Sequence, residues 1–288
     1  MSSGIVSGVP PPGPGYRDDG NESNITDKHG LQGVGMGFIR NWKRRKLDRQ
    51  PFSPAWRRIL EDHIPQYTKM DGDRRKMYEQ LVRYFMAEKS FEGCGGMELD
   101  EEKELLIAAL ACIPLLGGVS DVYPYLRSVL VYPTVYHAPY SEPGIDGVVT
   151  EGVESRSGES WDQGVLVFAW DEIAYDLRHP RDGANIVFHE CAHQLDYEWG
   201  ATMEDFAWQR RSGEPGLAAT LKSSYDKLLQ KLDRGRPVMV DEYAATNIHE
   251  FFAVMTETWL ERPDRVRSAW PDVDRVLQEF YQLNPDFL

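Results

Sequence analysis

Cysteine is scarce in this chain: there are three in 288 residues, Cys94, Cys112 and Cys191, with no C-x-x-C pair. An odd, scattered set excludes a disulfide-stapled secreted scaffold and a cysteine-rich structural zinc site, and it points to a reducing compartment. Long apolar runs are missing as well. The longest, Leu105 to Val119, is too short to span a bilayer and is interrupted by Pro114. Residues Met1 to Gly8 lack the basic start and apolar block of an export signal, so a cytoplasmic protein is expected. Basic residues are the minority, 32 Lys+Arg against 46 Asp+Glu, which leaves a net charge of -14. Such a surface repels polyphosphate, so neither nucleic acid nor an anionic membrane is an expected partner.

What is present is enough apolar content, 41% of residues, to bury a substantial core. The composition is uneven along the chain. Residues 1–30 hold six Gly, four Pro and four Ser and predict a disordered tail. A basic island follows at Arg40-Asn41-Trp42-Lys43-Arg44-Arg45-Lys46, best read as a solvated helix or loop start. Helical spacing of apolar residues predicts helices between Pro54 and Glu88, over Leu99–Leu116 with its acidic first turn, and over Asn185–Asp196, Leu217–Leu232, Asn247–Leu260 and Val273–Leu283. Two short β-rich runs, Val129–Pro133 and Gly164–Trp170, predict strands, with a loop or hairpin over Gly144–Gly158 between them. Helices flanking a few strands argue for a single mostly helical α+β domain over residues 31–288.

The sharpest local signal is His189-Glu190-Cys191-Ala192-His193, an H-E-x-x-H pentad within a helical stretch. Four helical residues turn about 400°, so the two histidines project from one face and both imidazoles can reach one metal ion. Phe188, Cys191, Ala192 and Leu195 fall on the opposite stripe and face the core, which predicts an amphipathic helix with its ligands toward solvent or substrate. The competing reading is a pair of surface histidines. A catalytic zinc takes three protein ligands and a water, so a third donor is needed. The short-range H-x-x-G-x-x-H continuation is absent, because His193 is followed by Gln194-Leu195-Asp196-Tyr197-Glu198-Trp199. Downstream, His249 and Glu250 stand side by side, and the spacing Asn247 to Glu250 also fits a capping box.

The strings His189-Glu190-Cys191-Ala192-His193-Gln194-Leu195-Asp196 and Tyr243-Ala244-Ala245-Thr246-x-x-x-Glu250-Phe251-Phe252-Ala253 resemble those of the Mlc titration factor A (MtfA) family of zinc-dependent peptidases. Phe85–Gly93, Ile107-Ala108-Ala109, Val131-Tyr132-Pro133 and Gly158-Glu159-Ser160 leading to Gly164–Trp170 extend the likeness over most of residues 50–265. The resemblance implies a zincin-like fold with a small sheet beside the H-E-x-x-H helix. It implies one zinc held by His189, His193 and Glu250, with Glu190 as catalytic base. It assigns Tyr243 to transition-state stabilisation, as in the catalytic domain of anthrax lethal factor, whose zinc site the family is similar to. The implied activity is hydrolysis of peptide bonds in a peptide or protein substrate, as an aminopeptidase. The family's namesake titrates a transcription repressor, so the alternative is a regulatory protein that binds and sequesters a repressor, with the zinc site secondary. Cys191, where a bulky aromatic is more usual, and His249, where a small residue is usual, depart from the family pattern.

Two further expectations come from spacing. Asp196 lies seven residues after His189, and Glu257 seven after Glu250, so each returns to its ligand's face and is placed to hydrogen-bond a ligand. The strand ahead of the pentad, Gly164–Trp170, is either an edge that pairs with an extended substrate or an ordinary interior strand.

Overall fold

The structure is a computed structural model and describes residues 40–143, 149–156, 158–161, 164–199 and 217–287. The tail expected over residues 1–30 lies outside the described residues. The chain divides into two compact units, residues 1–46 and 47–288. In the first, residues 40–46 of the basic island are helical, with Lys43, Arg45 and Lys46 exposed.

In the second unit, the helical pattern that begins at Pro54 is cut twice, giving α1 (Pro54–His63), α2 (Pro65–Lys69) and α3 (Gly72–Glu88). Pro65 has no N–H to continue α1 and occupies the first position of α2, while Asp71 caps α3 by accepting from the Arg74 N–H at 2.9 Å. After strand β1 (Ser90–Gly93), Asp100 caps α4 (Glu101–Cys112) through the Lys103 N–H at 2.9 Å, and Glu101, Glu102 and Glu104 favour the positive end of its dipole. From Leu105 to Cys112 every α4 residue is buried, because the helix runs through the core. Tyr78 of α3 and Tyr123 donate to the Ala109 and Ala111 carbonyls of α4, each at 2.7 Å, which satisfies their buried hydroxyls.

Because α4 carries the chain from the end of β1 back to its start, β2 (Ser128–Tyr132) lies parallel to β1. A separate antiparallel hairpin follows, β3 (Tyr136–Pro143) with β4 (Val149–Arg156), so the turn region read from sequence is longer and more regular than expected; residues 144–148 are outside the described set. Then β5 (Gly158–Trp161) runs antiparallel to β6 (Val165–Ala169), and β6 pairs in parallel with β2, Val129 facing Leu166 and Val131 facing Phe168. The sheet order is β1-β2-β6-β5. The strand before the pentad is therefore interior, and β5 is the end strand. The apolar sequence of β6, Val165–Ala169, fits burial on both faces, as interior strands with parallel neighbours require. Gly164 makes the turn into β6 at φ 76°, where a Cβ would strike the Tyr125 carbonyl oxygen.

From β6 the chain enters α5 (Trp170–Arg178) and then α6 (Ile186–Trp199), which carries the pentad. The last layer is α7 (Leu217–Asp233), α8 (Ile248–Glu261), α9 (Pro263–Ala269) and α10 (Pro271–Tyr281). Phe188 of α6 and Phe251, Phe252 and Trp259 of α8 are fully buried. Each such side chain contributes roughly 1.5–3 kcal/mol by leaving water. Trp259 Nε1–H also donates to Asp274 Oδ1 at 2.8 Å, tying α10 to α8. Helices around a small mixed sheet fit the expected α+β class. No helix among the described residues is long and apolar enough to cross a membrane.

Candidate metal centre

Asn185 starts α6, its side-chain oxygen accepting the Phe188 N–H at 3.1 Å. Contrary to the amphipathic expectation, the polar face of α6 is buried too: His189, Glu190, Gln194 and Asp196 are all below one-tenth exposed. The reason is α8, which covers that face and brings carboxylates to it. Asn247 caps α8 by accepting the His249 and Glu250 N–H groups at 2.9 and 3.0 Å, so the capping reading is half right. The Glu250 carboxylate turns to the imidazoles.

The three donor atoms converge tightly. His189 Nε2 and His193 Nε2 are 3.1 Å apart, and Glu250 Oε2 lies 3.1 Å from the first and 3.2 Å from the second. These contacts cannot all be hydrogen bonds. If both Nε2 atoms carry protons they oppose each other, and if one does not, its lone pair faces the carboxylate's. A cation among the three removes the conflict. Bonds of about 2.0–2.1 Å in a tetrahedral site place ligand atoms about 3.3 Å apart, close to the observed triangle, with the fourth direction left for water or substrate. Among the described residues these are the ones grouped closely enough to hold a metal ion.

Burial opposes a charge on His189, but hydrogen bonds to Glu250 and Glu257 overcome it and raise its pKa to about 10. Burial also resists ionisation of Glu250, yet its bonds to His189 and His193 hold its pKa down to about 2. Protons and a metal ion therefore compete for the same imidazole and carboxylate atoms.

The other residues singled out by spacing divide between two places. Glu257 Oε1 lies 3.4 Å from His189 Nδ1, while its Oε2 accepts the Asn185 N–H at 2.8 Å, so one carboxylate steers the ligand and anchors the helix start. Asp196 Oδ2 is 2.7 Å from Nδ1 of His249, the neighbour of Glu250. His249, singled out with Glu250 in the sequence, is thus tied to Asp196 rather than placed among the three converging donors. Glu190 is 4% exposed and near enough to His189 to favour its charged form. Tyr243 sits on a 3-10 turn, Glu242–Ala245, half exposed, its ring centroid 6.1 Å from that of His189. Asp176 and Glu261 went unnoticed in the sequence, although both are buried at the base of α6. Asp176 Oδ2 accepts the Ile186 N–H at 2.8 Å, and Glu261 Oε2 accepts the Arg181 N–H. The spacing of Glu257 and Glu261, four apart on α8, was the available signal.

A family model described as glucose-regulated metallo-peptidase M90 matches residues 39–282. The chain belongs to this peptidase family. Membership indicates a metallopeptidase, and the converging donors are the M90 chain's candidate for its metal. Curated relatives agree. An uncharacterized protein of Synechocystis sp. is 38% identical over 248 residues, covering 85% of this chain and 90% of its own length. Mlc titration factor A of Escherichia fergusonii is 28% identical over 256 residues, 85% of this chain and 91% of that protein. Mlc titration factor A of Enterobacter sp. is 28% identical over 234 residues, with 77% and 84% covered. The resemblance to the MtfA family read from the motifs is thereby shown.

Proposed function

We propose that the protein is a zinc-dependent peptidase of zincin-like fold. The observation that carries the reading is the convergence of His189, His193 and Glu250 beside the buried Glu190. His189, His193 and Glu250 would hold one zinc ion per chain. When bound there, zinc supplies a Lewis acid and lowers the pKa of a coordinated water to about 7. Glu190 follows His189 by about 100° around the helix, so its carboxylate reaches past the ligand positions to take the attacking water's proton and return it to the leaving amine. The Tyr243 hydroxyl donates a hydrogen bond to the carbonyl oxygen as that oxygen gains charge. Glu257 keeps His189 presenting Nε2, because a proton held on Nδ1 fixes the tautomer.

Strand β5, at the end of the sheet and packed against α6, supports binding of an extended peptide through main-chain hydrogen bonds. We read the enzyme as an aminopeptidase acting in the cytoplasm, where three free cysteines remain reduced. Zinc content of the wild type and Glu250→Ala, measured side by side, tests the site: about one ion per chain is expected in the first and little in the second. Equal zinc in both would remove Glu250 from the ligand set. Assays on aminoacyl-anilides against N-terminally blocked peptides test the exopeptidase reading, which fails if the blocked peptides are cleaved as fast.

A second reading rests on the name that relatives carry, a titration factor. Here the chain binds a transcription repressor and withholds it from its operator, with zinc secondary. Repressor binding retained by Glu190→Gln, with no peptide hydrolysis by the wild type, would favour it.

A further inference from the structure

A cleft of about 460 Å³ lies where α8 gives way to α9, with Arg181, Arg262, Arg267, Asp264 and Asp286 in its lining. In a chain of net charge -14, three guanidinium groups on one cleft run against the composition. Two of them are partly neutralised. Arg262 faces Asp264 at 3.4 and 3.5 Å, and Arg267 pairs with Asp286 at 2.6 Å while reaching Asp274 at 3.4 Å. The Arg181 guanidinium makes no hydrogen bond or ion pair among the described residues. Another cation stands near it: burial and the charge of Arg181 together lower the Lys69 pKa.

The main chain under Arg181 is fixed. Its φ of 76° is unusual for a residue with a Cβ and costs on the order of 1 kcal/mol or more. Its N–H donates to the Glu261 carboxylate, its carbonyl accepts Arg262 Nη1 at 3.3 Å, and the Gly183 carbonyl accepts the Thr258 hydroxyl at 3.1 Å. Four elements of chemistry thus meet: an open cleft, a surplus of guanidinium over carboxylate in its lining, one guanidinium with no hydrogen bond or ion pair among the described residues, and a hydrogen-bonded loop that presents it. Planar guanidinium forks match the geometry of oxyanions.

We propose that this cleft is a binding site for a small polyanionic ligand bearing phosphate or carboxylate groups, gripped by Arg181 with Arg262 and Arg267. The site is separate from the metal centre. Arg262, just past the end of α8, is twelve residues on from Glu250, about 18 Å along the helix direction.

Calorimetric titration of the zinc-loaded full chain with inorganic pyrophosphate, and in parallel with citrate, tests the proposal. Saturable one-to-one binding of at least one probe is expected, and the tighter probe tells phosphate from carboxylate. Arg181→Ala should weaken it about ten- to a hundredfold, with Arg181→Lys falling between, and rising salt should weaken it further. Both probes can chelate zinc, so Glu250→Ala is the control: binding at the arginine cleft survives that change, whereas binding at the metal does not. Neither substitution at Arg181 removes a contact that holds the fold, and circular dichroism checks this. Absence of saturable binding at concentrations on the order of 10 mM, equal binding by Arg181→Ala, or loss in Glu250→Ala would overturn the assignment.

Discussion

Helices α6 and α8 bury two polar clusters against each other, and the clusters settle their charges differently. At the base of α6, Asp176, Glu257 and Glu261 each accept a backbone N–H, from Ile186, Asn185 and Arg181 in turn. Two turns further along α8, Glu250 meets side chains instead, the Nε2 atoms of His189 and His193, all within 3.2 Å of one another. Carboxylates bound to backbone N–H groups have partners that cannot leave, and they serve to seat the helix. Three side-chain donors that cannot satisfy one another are instead arranged for a cation. Glu257 belongs to both clusters, since one of its oxygens holds the start of α6 and the other approaches His189 Nδ1.

The sharpest break between the clusters should come at Glu190. Glu190→Gln is expected to lower kcat for peptide hydrolysis by about 10²–10⁴-fold with zinc content unchanged, since a general base is lost and no ligand is touched. Hydrolysis at the wild-type rate would sink the assignment. Next in size is Tyr243→Phe, expected to lower kcat about a hundredfold or more with little change in KM, because its hydrogen bond strengthens only as the carbonyl oxygen gains charge. A rise in KM alone would make Tyr243 a substrate-binding residue. Smaller again is Glu257→Gln, which should weaken zinc about ten- to a hundredfold in a chelator competition. Unaltered affinity would place Glu257 wholly in the helix-seating cluster.

The ligand-bearing end of this pair was legible in the sequence, and the seating end was not. H-E-x-x-H declares itself because i and i+4 share a face, and the seven-residue returns to Glu257 follow from the same period. Asp176 reaches α6 from a different helix, and Glu261 serves a loop eighty residues away, so no local pattern announces either contact. The amphipathic reading of α6 failed for a related reason. Side-chain polarity tells which face needs partners, but whether water or α8 supplies them is decided by long-range packing. The strand Val165–Ala169 was legible from its apolar, β-rich run, yet its interior place in the sheet depends on β5, which has no strong strand pattern of its own.

The mildest test bears on the seating cluster alone. Burial raises the Asp176 pKa to about 8, with the Ile186 N–H opposing and nearby acids adding to the rise, and it raises Glu261 to about 7 against the Arg181 N–H. The ordinary values are 3.8 and 4.5, so between these and the folded-state values the native chain binds more protons than the unfolded one. The sign follows: the free energy of unfolding falls as pH rises from roughly 4 to 8, and the loss is complete above the higher folded pKa. Asp176→Asn with Glu261→Gln keeps an acceptor for each N–H and carries no charge at any pH. The double variant should therefore lose less stability than the wild type between pH 5 and 8.5 in urea titrations. Zinc should be bound throughout, so that His189 does not titrate in the same experiment. Parallel pH profiles for the two proteins would mean that the seating carboxylates are already ionised and that backbone N–H groups alone are enough to hold their charge beneath α6.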